Sequence, residues 1–179
     1  MIDFKIENGV GVITLNRPDK FNSFVRQMAF DLQARLDECE SNAAIRSIYI
    51  TGTGKALCAG QDLAEAIDPE QTALDKIVEE HYNPIITRLR NIEKPIVCGV
   101  NGVAAGAGAN LALACDITIA GNSVAFIQAF SKIGLVPDSG GTYYLPRLIG
   151  MQKAAALMFL GDKVMAEEAV EMGMIYKAV

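Results

Sequence analysis

The sequence predicts a single α/β domain, on three observations. Its 179 residues, 51% hydrophobic and 21% charged, can form one core and lack the composition of a disordered chain. Short β-branched runs alternate with amphipathic helical patterns, as in a β-α-β succession. Gly-containing turns follow two of the predicted strands, so the backbone there can approach a ligand closely.

The first half of the chain shows two strand patterns and two helical patterns. Strands are predicted at residues 9–15 and 45–51, because both runs are rich in β-branched residues and end in turn residues. Residues 25–39 repeat apolar side chains every four positions, which predicts a helix. Residues 69–90 are also helical in spacing, but Asn83 precedes a proline and disfavours the α conformation, so two helices or one kinked helix are expected.

The second half continues the alternation. The apolar run 95–100 predicts a buried strand, and the Gly/Ala-rich residues 102–109 are expected to open a helix directly after it. Further elements are predicted as short strands at 116–120 and 124–128, a helical tail at 142–172 and a final strand at 174–178.

Composition excludes several classes of partner. A net charge of −5 with a pI near 4.9 repels polyanions, so nucleic acid is not an expected partner. No apolar stretch reaches the ~18 residues of a membrane span, so a membrane is not an expected partner. The four cysteines lack CxxC spacing and no signal peptide opens the chain, which predicts a soluble, cytoplasmic protein.

Three familiar motifs are incomplete. The turn 106–111 follows a strand, but Leu111 replaces the third Gly of a dinucleotide fingerprint. Residues 52–55 resemble half of a phosphate loop, yet the first Gly and the final Ser or Thr are missing. Ser139 lacks the leading Gly of a nucleophile elbow, and the single histidine, His81, makes a Ser-His triad improbable and a His-rich metal site impossible.

Two Gly-containing loops remain, Ala59-Gly60-Gln61 and Gly106-Ala107-Gly108. Two loop amides could form an oxyanion hole, which stabilises an enolate or a tetrahedral oxyanion without requiring any particular side chain. On this view the side chain of Gln61 is not needed. The alternative is that these glycines only permit tight turns and close helix packing.

Four segments carry a family resemblance. They are GVITLNRP at 11–18, KALCAGQDL at 55–63, VNGVAAGAGANLALACD at 100–116 and GLVPDSGGTYYLPRLIG at 134–150. In order and spacing they resemble the enoyl-CoA hydratase/isomerase, or crotonase, superfamily, and in detail its ring-epoxide isomerases of phenylacetyl-CoA degradation. The resemblance implies a crotonase-like (ClpP/crotonase) α/β spiral of ββα units.

The resemblance also implies the ligand and its site. The substrate is expected to be an acyl-CoA thioester, with no separate cofactor because coenzyme A is part of the substrate, and with no metal. Its carbonyl oxygen would lie between the backbone amides of Gln61 and Ala107. The residues expected to line the site are Gly60, Gln61, Asp62, Gly106, Ala107, Gly108 and Phe130.

The resemblance implies Asp138 as the catalytic carboxylate, because this sequence differs from the family's hydratases at two positions. Asn110 and Phe130 stand where the resemblance places the two glutamates of the hydratases. Asp138 matches the catalytic aspartate of several isomerases, and one two-way carboxylate suffices for isomerisation. Apolar neighbours Phe130, Leu135 and Val136 are expected to raise its pKa. Alternatively, Asp138 is a helix N-cap.

Three functions stay open. They are an isomerase that shifts a double bond or opens a ring epoxide, a lyase or hydrolase of other specificity in the same family, and an inactive acyl-CoA-binding core. Family members normally continue into a C-terminal helical trimerisation region. Residues 1–179 are therefore expected to be a C-terminally truncated core domain whose full-length form is a trimer or hexamer.

Other polar residues receive structural interpretations. Asp62 is expected to cap the following helix and Asp116 to anchor a turn. His81 is assigned to a helix surface or a supporting position, and Cys58 to a small buried thiol. Basic residues that could meet coenzyme A are Arg17, Lys20 and Lys55.

Overall fold

The computed structural model describes residues 1–67 and 73–179. Its strands are β1 (Ile2–Glu7), β2 (Val10–Leu15), β3 (Ser47–Gly52), β4 (Ala56–Cys58), β5 (Ile96–Val100), β6 (Val103–Ala105), β7 (Ile117–Ala120), β8 (Ala125–Ile127), β9 (Lys163–Met165) and β10 (Lys177–Ala178). Its α-helices are α1 (Arg26–Ser41), α2 (Leu63–Ala66), α3 (Leu74–Ile77), α4 (Asn83–Asn91), α5 (Ala107–Ala114), α6 (Gly141–Ile149), α7 (Met151–Leu160) and α8 (Ala166–Glu171).

Two sheets organise the described residues. The larger has the order β1-β2-β3-β5-β7-β10 and is parallel apart from the β1–β2 hairpin. The smaller has the order β4-β6-β8-β9 and is parallel apart from the β8–β9 pair. Because β3 and β5 each lead within a few residues into β4 and β6, the chain passes repeatedly from the large sheet to the small one, as the predicted ββα units require.

Helix α5 occupies the centre of the fold. Each of its residues from Ala107 to Ala114 is buried, which its Ala-rich, small-residue composition allows because neighbouring backbone can approach closely. A Cβ added at Gly108 would collide with the carbonyl of Cys58, the last residue of β4. The first turn of α5 therefore lies directly against the end of β4, and this contact positions the site described below.

The longer sequence predictions are confirmed, with differences at the short elements. Strands β2, β3, β5, β7 and β8 and helix α1 lie within two residues of the predicted bounds. The hairpin strand β1 was missed, although Asn8 and Gly9, with φ of 51° and 83°, are a typical two-residue hairpin turn. Strands β6 and β9 interrupt segments predicted as helix, because three residues are too few to break the surrounding helical pattern.

The break predicted at Asn83 is also different in the structure. Asn83 has α-helical angles (φ −57°, ψ −44°), and the chain stays helical from α3 to α4 through a π-helical turn at Val78–Tyr82. Pro84 falls in the first turn of α4, where its missing N–H matters least. The start of the predicted segment, at position 69, lies outside the described residues.

Exposed apolar side chains cluster on the last two long helices. Tyr143, Leu148, Met151, Phe159 and Leu160 are exposed on α6 and α7. The segment after α8 is better covered, because Met174 and Ile175 are buried and, among its large apolar side chains, only Tyr176 and Val179 are exposed. The trimer or hexamer stays a prediction.

Candidate active site

The first loop of the site presents the amide of Gln61. A parallel bridge joins Phe24 to Gln61: the Phe24 amide donates to the Gly60 carbonyl at 2.7 Å, and the Asp62 amide donates to the Phe24 carbonyl at 2.8 Å. In this pattern the N–H of Gln61 faces away from the Phe24 strand. It donates no hydrogen bond within the described residues, so it is available to a ligand.

The second loop presents the amide of Ala107. The first bond of α5 runs from the Asn110 amide to the Gly106 carbonyl at 3.1 Å, which leaves the N–H of Ala107 without a helical partner. Gly106 turns the chain into the helix with φ +53°, in the region that favours glycine. Its own amide is held by the Ile127 carbonyl at 2.9 Å.

Glycines bring these two amides together. Gly60 has φ +92°, and a Cβ built on it would lie 3.5 Å from the Ala107 nitrogen and 3.2 Å from the Ala105 carbonyl oxygen. A Cβ on Gly106 would lie 3.7 Å from the ring of Phe130. Gly60 thus permits a close approach of the two loops and Gly106 permits a positive φ, so the loops that carry the two unpartnered N–H groups lie against each other, as an oxyanion hole requires.

Asp138 precedes a tight left-handed turn. Ser139 and Gly140 have φ of +50° and +72°, and the Ser139 hydroxyl donates to Asp138 Oδ1 at 2.8 Å. Burial raises the pKa of Asp138, and the Ser139 hydrogen bond partly offsets that rise. The N-cap interpretation is wrong, because Gly140 occupies the cap of α6 and no side chain bonds there.

The surroundings of Asp138 differ in part from the prediction. Phe130 is buried and Leu135 is half-buried, but Val136 is 77% exposed. Val136 therefore contributes little to the burial that raises the pKa of Asp138, since its side chain faces solvent.

Asn110 connects Asp138 to the helix that carries Ala107. Its Nδ2 donates to the Asp138 carbonyl at 2.9 Å, and its Oδ1 accepts from Gln128 Nε2 at 2.8 Å. Asn110 is 1% exposed. Both ends of this amide are therefore occupied by protein groups, and the position is a structural clamp rather than an acid or a base.

Asp62 is committed to protein partners. Its carboxylate accepts from the Ala64 amide at 3.0 Å, which confirms the predicted cap of α2, and forms an ion pair with Arg17 at 2.7 Å. Burial alone would raise the pKa of Asp62, but the hydrogen bonds from Arg17 and Ala64 outweigh it and lower the pKa. Among the predicted coenzyme A contacts, Arg17 is thus neutralised, while Lys20 and Lys55 are exposed.

Tyr82 is a site residue that the sequence analysis missed. Its hydroxyl donates to Gln61 Oε1 at 2.9 Å. Its pKa lies well above the usual range, chiefly because of burial and also because of the nearby Cys58 and Asp138. The only signal was its place beside the predicted helix break at Asn83.

The remaining candidates have structural roles. Burial raises the pKa of the Cys58 thiol to about 12, which confirms an inert buried thiol. Asp116 anchors the start of β5 by accepting from the Ile96 amide at 2.9 Å, as predicted for a turn anchor. The surface assignment of His81 is wrong, because its side chain is fully buried against Phe30.

The described residues contain neither a candidate metal site nor a candidate membrane span. Within residues 1–67 and 73–179, no group of three or more His, Cys, Asp or Glu side chains is placed to hold a metal ion. No helix in those same ranges combines the length and the hydropathy needed to cross a bilayer.

Comparisons with known proteins place this geometry in a family. The enoyl-CoA hydratase/isomerase profile matches residues 5–179. The chain is 49% identical, over 97% of its length and 68% of the relative's, to the 1,2-epoxyphenylacetyl-CoA isomerase of Escherichia coli K12. It is 44% identical, over 99% of its length and 68% of the relative's, to a "Probable enoyl-CoA hydratase" of Rhodobacter capsulatus.

A solved structure from Mycobacterium abscessus superposes with a TM-score of 0.95 at 39% identity, covering 100% of this chain and 70% of that one. One of these two relatives is named an isomerase and the other a hydratase. The comparisons therefore establish the family but do not distinguish between the two reactions. The crotonase-like fold expected from the sequence is confirmed. This chain belongs to the enoyl-CoA hydratase/isomerase family.

Proposed function

We propose that this protein is an acyl-CoA isomerase with Asp138 as its single acid/base. It shifts a double bond, or opens a ring epoxide, in a thioester whose carbonyl oxygen lies between the amides of Gln61 and Ala107. The family acts on acyl-CoA thioesters, and coenzyme A enters as part of the substrate.

One observation supports the isomerase over the hydratase most strongly. Among the carboxylates of residues 1–67 and 73–179, Asp138 is the one whose pKa is raised, whereas Asn110 is engaged at both ends by Gln128 and the Asp138 carbonyl. Water addition needs groups to activate water and to protonate the substrate. Neither Asn110 nor the buried ring of Phe130 can do so, although both stand where the family resemblance implies glutamates.

In the proposed reaction, Asp138 moves one proton from one carbon of the substrate to another. For a double-bond shift, the carboxylate removes a proton from the carbon next to the thioester. The electron pair of that C–H bond moves onto the carbonyl oxygen, where two amide donors stabilise the enolate. The protonated Asp138 then returns the proton to the far end of the conjugated system, which restores the thioester and the carboxylate.

Hydration of crotonyl-CoA is expected to be negligible. The reason is that Asn110 and Phe130, which stand where the family resemblance implies two glutamates, can neither activate water nor protonate the substrate. The assay is loss of the enoyl absorbance with crotonyl-CoA, run beside conversion of 3-hexenoyl-CoA to its 2-enoyl isomer. A robust hydration rate without isomerisation would overturn the proposal in favour of a lyase of the same family.

The pH dependence of isomerisation is expected to report on Asp138. Only the carboxylate accepts a proton, and burial raises its pKa. The rate should therefore fall as the pH drops through a value above the ordinary ~3.9 of an aspartate. Ser139→Ala removes the hydroxyl that stabilises the carboxylate, so the acid limb of kcat/KM should move to higher pH.

The pH profile distinguishes Asp138 from Asp62, because the pKa of Asp62 is lowered rather than raised. An acid limb below the ordinary aspartate range, unchanged by Ser139→Ala, would show that Asp138 is not the group that titrates.

A further inference from the structure

The side chain of Gln61 is held at both ends. Tyr82 donates to its Oε1 at 2.9 Å, and its Nε2 donates to Glu65 Oε2 at 2.9 Å. Because a carboxylate only accepts, the amide nitrogen must face Glu65, and its oxygen must then face the tyrosine hydroxyl. The directions of both hydrogen bonds in this row of three side chains, the Tyr82–Gln61–Glu65 row, are thereby fixed.

Glu65 joins this row to the start of another helix. Its two oxygens accept from the Arg26 amide at 3.0 and 3.2 Å. Arg26 is the first residue of α1, whose own N-cap, Val25, has no capping side chain. Glu65 thus supplies the missing cap, and the positive end of the α1 dipole holds its charge in place.

The position of the Tyr82 ring does not depend on its hydrogen bond to Gln61. Its ring packs edge-to-face on Phe24, with centroids 5.9 Å apart and planes at 71°, and it is 2% exposed. Tyr82 closes the π-helical turn Val78–Tyr82, and such turns occur often at functional sites. Phe24 is the bridge partner of Gln61, so one residue supports both the tyrosine ring and the loop.

We propose that Tyr82 and Glu65 are positioning residues, which hold the Gln61 side chain so that its backbone N–H points at the thioester oxygen. This inference rests on the proposed function. It changes the expectation from the sequence, in which the Gln61 side chain has no role. The amide itself remains the donor, and the Tyr82–Gln61–Glu65 row acts together with the Phe24 bridge to hold its direction.

Tyr82→Phe tests the inference, because it removes only the hydroxyl and keeps the ring packing on Phe24. We expect kcat for 3-hexenoyl-CoA to fall about tenfold, less than the loss of a whole donor, with KM little changed. A poorly aimed donor stabilises the developing oxyanion less while contributing little to ground-state binding. Tyr49→Phe, which removes a phenol that lies over Gly99 on the large sheet, should leave kcat unchanged.

A spectroscopic measurement distinguishes a misdirected Gln61 N–H from a general disturbance of the site by the substitution. Phenylacetyl-CoA labelled with ¹³C at the thioester carbonyl should show a lowered C=O stretching frequency when bound to the wild-type chain. In Tyr82→Phe that lowering should shrink, and in Tyr49→Phe it should persist. An unchanged frequency in Tyr82→Phe would overturn the inference.

A double-mutant cycle tests whether the hydroxyl acts through Gln61. If it does, Tyr82→Phe should have no further effect on kcat in a Gln61→Leu background. Equal losses in both backgrounds would overturn the inference but leave the proposed function standing. If the wild-type chain neither lowers the carbonyl frequency nor isomerises 3-hexenoyl-CoA, it is the proposed function that fails.

Discussion

Asp138→Asn is expected to abolish isomerisation while acyl-CoA binding survives. The amide keeps the shape and can still accept the Ser139 hydroxyl, but it cannot take a proton from carbon. Removing a general acid/base typically costs 10²–10⁴-fold in rate, so kcat for 3-hexenoyl-CoA should fall by about that factor. Binding of phenylacetyl-CoA, measured by calorimetry, should change little.

The matched control is Asp116→Asn. Asp116 lies at the start of the strand that follows α5 and supports the Ile96 amide, a contact that an asparagine oxygen can also make. Its kcat should stay near the wild-type value. Full turnover in Asp138→Asn would contradict the assignment and would direct the search to another carboxylate.

Ala107→Pro is expected to remove the second oxyanion donor. Proline has no N–H, and the first helical position is the one that an α-helix tolerates best, so α5 should still form. Losing one donor costs about 10²–10³-fold in kcat. The measurement is steady-state turnover of 3-hexenoyl-CoA, with circular dichroism as the check on folding.

Ala107→Gly is the control for that substitution, because it shortens the side chain but keeps the amide. Its rate should remain far above that of Ala107→Pro. If both variants lose activity equally, the methyl group of Ala107 matters rather than its N–H, and the oxyanion hole must be built from other donors.

The regular parts of the fold could be predicted from the sequence because their signals are local. Helix α1 shows its apolar repeat over four turns, and β2, β3 and β5 are β-branched runs bounded by turn residues. In the small sheet, β8 was predicted, but the other three-residue strands, β4, β6 and β9, are recognisable only through their pairing. No single-sequence period reports such pairing.

Only the part of the candidate site that has a local signal could be predicted from the sequence. The loops at Gly60 and Gly106 could be located because glycine marks positive φ and close backbone contact. The role of Tyr82 could not be predicted, since it lies 21 residues from Gln61 along the chain. Tyr82 also ends a π-helical turn, and such a turn is not visible in the sequence pattern.

Proton exchange next to the thioester tests the central claim most directly, because it needs only the base and the oxyanion hole. Phenylacetyl-CoA is incubated in D₂O with the wild-type chain and with Asp138→Asn, and the α-carbon protons are followed by NMR. The account predicts deuterium incorporation by the wild-type chain and none above background by the variant. Exchange that continues at the wild-type rate in Asp138→Asn would contradict it.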